Sequence, residues 1–212
     1  MELSPAELSS SSAYQLLTSA IVPRFIAWVA TGTFGETTNL APFSYATIAS
    51  HAPLSLLFVI AGRKPDGERK DTLRNVQATD GGTGEFVVHV VDESLAAIMA
   101  KSAASLAFGQ SEIDELGLQV TRGSHVAAPR LVGAKVAFEC RTSQIVPVGV
   151  SSVVIGEVVA IHVADDIMEA PYGIDPAKLA AVGRMGGSSY VRTRDCFALD
   201  DARVVRREKK RL

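Results

Sequence analysis

The chain has 212 residues, 47% of them hydrophobic and 21% charged, which suits one globular domain with a sizeable core. A formal net charge of −2 excludes a general nucleic-acid or anionic-membrane surface, which would need a basic excess. Two isolated cysteines, Cys140 and Cys196, with no CxxC or Cys/His cluster, fit reduced thiols rather than a disulfide framework.

Residues 1–19 are Ser-rich and read as a flexible lead-in with one short helix. They lack the basic start and long apolar core of a secretory signal. No run approaches the roughly 18 apolar residues of a membrane span, so a cytoplasmic protein with no membrane partner is expected. Phe25 to Thr31 is β-branched and aromatic and is followed by Gly32 and Gly35, which predicts a strand and a turn. In the segment 39–45, Pro42 confines any strand to a sheet edge or a bulge. Leu54 to Ile60 is an apolar run but for Ser55 and predicts a buried strand.

The chain then turns polar through Arg63, Lys64, Pro65, Asp66, Gly67, Arg69 and Lys70. A helix should follow to about Thr79, capped by Asp71 or Thr72. Glu85 to Val91 predicts a strand. Glu93 to Ala104 predicts a helix with Leu95, Ile98 and Met99 on one face. Val132 to Val148 and Val153 to Val163 are long β-branched segments joined by Gly149-Val150-Ser151-Ser152, a hairpin pattern. Asp175-Pro176 is a helix start with Asp175 as cap, and Ser188 to Leu199 reads as a last strand or extended arm. Many strands with a few inserted helices do not alternate as βαβ units. The fold class expected is therefore mainly β, a closed and mostly antiparallel sheet with peripheral helices.

Several places could carry chemistry. Cations at 63–70 followed by Thr72 and a helix start are the parts of a phosphate site, although a solvated loop before a capped helix has the same composition. Asp71 would repel a phosphate, so capping, or holding Lys70 or Arg74, is its expected role. Asn39 and Ser44 flank an irregular backbone able to offer donors and acceptors to a planar heterocycle. Trp28 can pack on an aromatic ligand or fill the core. His89 and His162 fall in strands and are expected to be structural, whereas His51, in a predicted loop, is better placed to meet a ligand. Gly183-Arg184-Met185-Gly186-Gly187 reads as a sharp turn, with Arg184 as a candidate phosphate contact. No histidine or cysteine pair has metal-ligand spacing, and no nucleophile elbow, P-loop or GxGxxG follows a strand.

Taken in order, residues 22–31 (VPRFIAWVAT), 39–45 (NLAPFSY), 62–75 (GRKPDGERKDTLRN) and 84–90 (GEFVVHV) resemble the flavin reductase-like family, whose fold is the FMN-binding split barrel. The segments 129–131, 138–140, 155–159 and 183–190 extend the likeness over roughly residues 20–200, leaving a basic tail over 201–212. The resemblance implies a homodimer with one FMN per protomer in the cleft between subunits. By it, Asn39, Leu40, Ala41, Pro42, Phe43 and Ser44 line the isoalloxazine and ribityl chain, and Ser50 and His51 lie against the flavin. Arg63, Lys70 and Thr72 hold the phosphate, with Asp71 and Asn75 in the same motif. Trp28 sits near the ring, Arg184 is a further contact, and Tyr190 reaches the ring system. The activity implied is an NAD(P)H-dependent flavin oxidoreductase serving oxygen or a partner monooxygenase. A non-enzymatic FMN electron carrier of the flavoredoxin type is the alternative. In either case the flavin does the chemistry, so the chain needs binders and no catalytic side chain.

Overall fold

A computed structural model describes residues 1–79 and 81–199. Asp80 and the basic tail expected over 201–212 lie outside the described residues. The chain begins with α1 (Ser10–Ala20), followed by β1 (Ala27–Gly32), β2 (Thr38–Phe43), β3 (Ala46–His51), β4 (Leu54–Ala61), the short α2 (Asp71–Asn75) and β5 (Glu85–Val90). After α3 (Ala96–Lys101) and α4 (Glu112–Glu115) come a small hairpin, β6 (Val120–Arg122) and β7 (Pro129–Leu131), and a long one, β8 (Val136–Val148) and β9 (Ser151–Val163). The last elements are β10 (Met168–Glu169), β11 (Gly173–Ile174), α5 (Pro176–Leu179), β12 (Val182–Arg184) and β13 (Tyr190–Arg192).

Seven strands form one antiparallel sheet in the order β2-β1-β5-β8-β9-β4-β3, the mainly β architecture the sequence predicts. β2 is an edge strand, as Pro42 requires. The long hairpin turns on Gly149 at φ 56° followed by Val150, which places the one left-handed residue of a two-residue loop on glycine. β1 is buried on both faces, which is why its sequence is apolar without alternation from Ala27 to Ala30. Ala27 and Val29 join Phe43, Phe58, Ile60, Phe86 and Val154 in one core, around which the sheet rolls. Trp28 and Ala30 point the other way, into a second core with Leu40, Val87, Met99 and Ile113.

The β6–β7 hairpin is fastened to the sheet by side-chain acceptors instead of a strand ladder. Glu139 is fully buried, and its carboxylate accepts the backbone N–H of Ser124 (2.7 Å) and of His125 (2.6 Å), while His162 Nε2 lies 2.6 Å away. Burial alone would raise its pKa, but these donors together hold it below the usual carboxylate range. Glu85 accepts the N–H of Ala127 at 2.7 Å. His89 Nε2 accepts the N–H of Leu131 at 3.0 Å, which fixes the neutral tautomer whose Nδ1–H donates to Trp28 O at 3.0 Å. His89 and His162 are thus satisfied structural groups, as expected.

Several expected boundaries are corrected. The helix expected from 71 to 79 stops at Asn75, because the chain tightens as Gln77 N–H turns back to Arg74 O and Gly82 packs against the carbonyls of the last turn. The helix expected over 93–104 shrinks to α3, because Asp92 binds Ser94 and Leu95 N–H in a turn at one end and the Ser102 hydroxyl returns to Met99 O at the other. The arm expected over 188–199 is a strand only at β13. Beyond it Thr193 bonds Ala181 O and Arg194 pairs with Glu93 at 2.6 Å. Ser50 and His51 are not in a loop but at the end of β3, paired with Ser55 and Leu54 of β4.

Candidate functional site

Two cavities adjoin on the β2 side of the sheet and share Pro42 and Ala103 in their walls. The first, of about 360 Å³, is bounded by Asn39, Ala41, Pro42 and Phe43 of β2 and by Arg63, Lys64, Lys70, Asp71 and Thr72 of the cationic loop and α2. Its remaining wall is the strap that follows α3, Ser102 to Leu106, together with Glu112 of α4. The edge position of β2 is what leaves its outer side open to this loop, so the heterocycle-type segment and the phosphate-type segment meet in one place.

The cations of the loop divide by partner. Arg69 donates to Gln77 Oε1 (2.8 Å) and Arg74 to Glu68 Oε2 (2.6 Å), and neither lines the cavity. Lys64 forms a buried ion pair with Asp71 Oδ2 at 2.7 Å and also donates to Leu106 O at 2.9 Å, which hangs the strap on α2. Arg63 makes one exposed bond, to Gly67 O at 3.0 Å. Lys70 has no carboxylate partner or side-chain hydrogen bond among the described residues, and burial holds its pKa below the usual lysine range. Two cations, Arg63 and Lys70, therefore remain for a ligand.

The expected capping by Asp71 or Thr72 is not observed. The residue preceding α2 is Lys70, whose side chain caps nothing, and Asp71 is turned to Lys64 rather than to Lys70 or Arg74. The reason is charge: a carboxylate beside this cavity is tolerated where a buried ammonium neutralises it. Its second oxygen, Oδ1, is buried with no hydrogen-bond partner among the described residues, an acceptor suited to a hydroxyl donor. Thr72 Oγ1 accepts from Asn39 Nδ2 at 3.0 Å, which leaves its own proton to donate elsewhere. Glu112 Oε2 accepts the N–H of Leu40 at 2.9 Å, and burial, reinforced by nearby Asp71, raises its pKa.

The second cavity, of about 380 Å³, is lined by Tyr14 and Thr18 of α1, by Arg24, Ser44 and Met99, and by Arg184, Gly187 and Tyr190 of the β12–β13 hairpin. Arg184 and Tyr190 thus stand on this cavity, away from the phosphate-type cations. Trp28 lines neither cavity: it is fully buried and its Nε1–H donates to Ser102 Oγ at 2.8 Å. Leu40 has its side chain in the core, and Asn75 stands behind the site with its amide on Thr31 Oγ1 at 2.9 Å. Ser50 and His51 line neither cavity within this subunit.

Sequence reasoning missed Lys64 as the strap holder, the strap itself, Glu112, and the Tyr14–Arg24 wall. A Ser/Ala-rich stretch after α3 (residues 102–107) was the available signal for the strap. Nothing local marks Lys64 apart from its cationic neighbours.

A family described as "Flavin reductase like domain" matches residues 19–182. A protein of Deinococcus radiodurans is 39% identical over 199 residues, 91% of this chain and 86% of that one. Component B of nitrilotriacetate monooxygenase from Bacillus cereus superposes with a TM-score of 0.86 at 32% identity, over 94% of this chain and 98% of that one. A Shewanella frigidimarina protein with a split barrel domain superposes at 0.80 with 20% identity, over 95% of this chain and 100% of that one, and shares the fold. The FMN-type split barrel expected from the sequence is the fold observed.

Proposed function

The chain belongs to the flavin reductase-like family, and from that premise we propose that it binds FMN in the β2-side cavity and accepts a hydride for it from NADH or NADPH. The observation that supports this reading is that Asn39, Ala41, Pro42 and Phe43 and the cations Arg63 and Lys70, which have no carboxylate partner among the described residues, wall a single cavity. The residues fit the group. Arg63, Lys70 and the Thr72 hydroxyl suit a phosphate, while the unpartnered Oδ1 of Asp71 suits a hydroxyl of the ribityl chain. The backbone and side chains of 39–44 would orient the ring, with Arg184 and Tyr190 reaching towards it from the adjoining cavity. Lys64, by pairing with Asp71, keeps that carboxylate from repelling the phosphate.

Bound FMN supplies the hydride-accepting ring, and the chain's residues bind, orient and exclude water. Ser50 and His51, exposed or half-buried at the end of the edge strand β3, can serve a flavin only across a subunit boundary. The reading therefore includes a homodimer. The likeness to a monooxygenase component B supports a monooxygenase as recipient of reduced flavin. Among the described residues no helix is long and apolar enough to cross a membrane, and a cytoplasmic location completes the proposal.

The test is direct. Purified protein is titrated with FMN by fluorescence quenching, then mixed with FMN and NADH or NADPH while absorbance is followed at the nicotinamide band. Saturable FMN binding with nicotinamide oxidation above the protein-free rate is expected. Tight FMN binding without oxidation of either nucleotide would leave the carrier reading. Absence of FMN binding would end both.

A further inference from the structure

We infer that the second cavity, lined by Arg24, Arg184, Tyr14 and Tyr190, is a binding site for a planar aromatic carboxylate, seated beside the flavin cavity. Its role as the place of a second reactant rests on the FMN reading above; its affinity for the anion does not.

The charge pattern carries the inference. Arg24 and Arg184 face each other across an antiparallel bridge, with Arg24 N–H on Arg184 O at 2.9 Å and Arg184 N–H on Arg24 O at 2.8 Å. Like charges directly opposite in such a pair are destabilising. Both side chains line one cavity of about 380 Å³, and among the described residues no carboxylate lines it. Neither arginine has an acidic partner among the described residues. Two guanidinium groups that line one cavity and bond only neutral groups leave a positive charge there that an anion would relieve.

The two arginines divide the work. Arg24 directs its guanidinium at the carbonyls of Thr18, Ile21 (2.8 Å) and Met185 (2.8 Å), and its Nε is buried without an acceptor. It contributes field rather than contact. Arg184 is half-buried and bonds only neutral groups, Gly187 O and the Tyr190 hydroxyl, so its fork can turn to a carboxylate. Apart from the Thr18 and Ser44 hydroxyls, the other side chains of the lining suit an apolar, aromatic body: Ile26, Pro42, Met99 and Ala103, with the rings of Tyr14 and Tyr190. The cavity meets the flavin cavity at Pro42 and Ala103, which puts such a ligand next to the proposed isoalloxazine seat.

Isothermal titration calorimetry on the full chain, with and without FMN, tests this using benzoate, neutral benzamide and inorganic pyrophosphate. Benzoate should bind at least about tenfold more tightly than benzamide, in line with one charge-assisted contact. Arg184→Gln should remove that advantage and Arg184→Lys should restore part of it, with melting temperatures confirming that both variants fold. Equal binding of benzoate and benzamide, or benzoate affinity indifferent to Arg184, overturns the inference. Arg184-dependent binding of pyrophosphate without benzoate binding also overturns it, and assigns the charge to a nucleotide instead. Benzoate binding by a protein that takes up no FMN would sink the cofactor reading alone; FMN uptake without Arg184-dependent benzoate binding would sink this site alone.

Discussion

Acid should destabilise this protein first through His89. Its ring is fully buried, with Nδ1–H committed to Trp28 O and Nε2 committed to the N–H of Leu131. A second proton would have to sit on Nε2, facing a backbone N–H with no room for water. Burial, with Arg130 and His162 adding to it against the Trp28 hydrogen bond, lowers the pKa from 6.5 to about 4. The unfolded chain takes up this proton near 6.5 and the folded one only near 4, so in that window the unfolded state binds more protons. The contribution is complete above the unfolded value, declines as pH falls through it, and levels off below about 4. At about 1.4 kcal/mol per pH unit, the gap between 6.5 and about 4 is worth about 3 kcal/mol. For a chain of this size that corresponds to a loss of roughly 6–12 °C in melting temperature. Scanning calorimetry across the window should show this decline in the parent protein. His89→Gln, which cannot titrate, should start lower at neutral pH but decline less. Parallel declines in the two proteins would refute the assignment.

Other consequences are open to measurement. Arg63→Ala together with Lys70→Ala should weaken FMN by about 2–4 kcal/mol after allowance for solvent screening, whereas Arg69→Ala, whose guanidinium holds Gln77, should change it little. Equal affinity in all three proteins, read by fluorescence titration, would show that the phosphate end is elsewhere. Glu139→Gln replaces a buried carboxylate under two backbone N–H donors by an amide, and should cost about 3 kcal/mol in urea unfolding; an unchanged midpoint would contradict the fastening role given to it. That contribution belongs to the pH range above the unfolded carboxylate value and fades as pH falls through the lower folded one, a window more acid than that of His89. Burial, with Glu139 next to it, pushes the Cys140 thiol up to about 12, so in native protein a thiol reagent should modify exposed Cys196 and spare Cys140 until denaturant is added. Equal rates at both would show that the core around Cys140 is open.

The elements that the sequence reveals are those whose own side chains determine them. β1 and β4 are apolar on their buried positions apart from Thr31 and Ser55, Pro42 forces an edge, Gly149 supplies a hairpin turn, and Asp175-Pro176 starts α5. β3 escapes because its exposed residues, Thr47, Ile48 and Ala49, give no alternation and Pro53 suggests a loop. Within the site, NLAPFS and KDTLRN carry enough residues of the right chemistry to be found, but not their wiring. Which of four neighbouring cations neutralises Asp71 depends on where the 102–106 strap passes, and that is a tertiary fact. The same holds for Arg24, whose partners lie on both flanks of the chain. Trp28 could serve ring or core on sequence grounds, and the two-faced burial of β1 explains its place in the core.

Arg24 deserves a last consideration as a seam. It joins the end of α1 to Met185, 161 residues further along, and the cavity it borders draws on residues from Tyr14 to Tyr190. On a ribosome, the flavin-type cavity, built from residues 39 to 112, has all its parts once the first β-strands and α4 have emerged. Its neighbour must wait for the β12–β13 hairpin. Loop closure over that span makes the second cavity a late event in assembly, completed only when the two ends of the chain meet at Arg24.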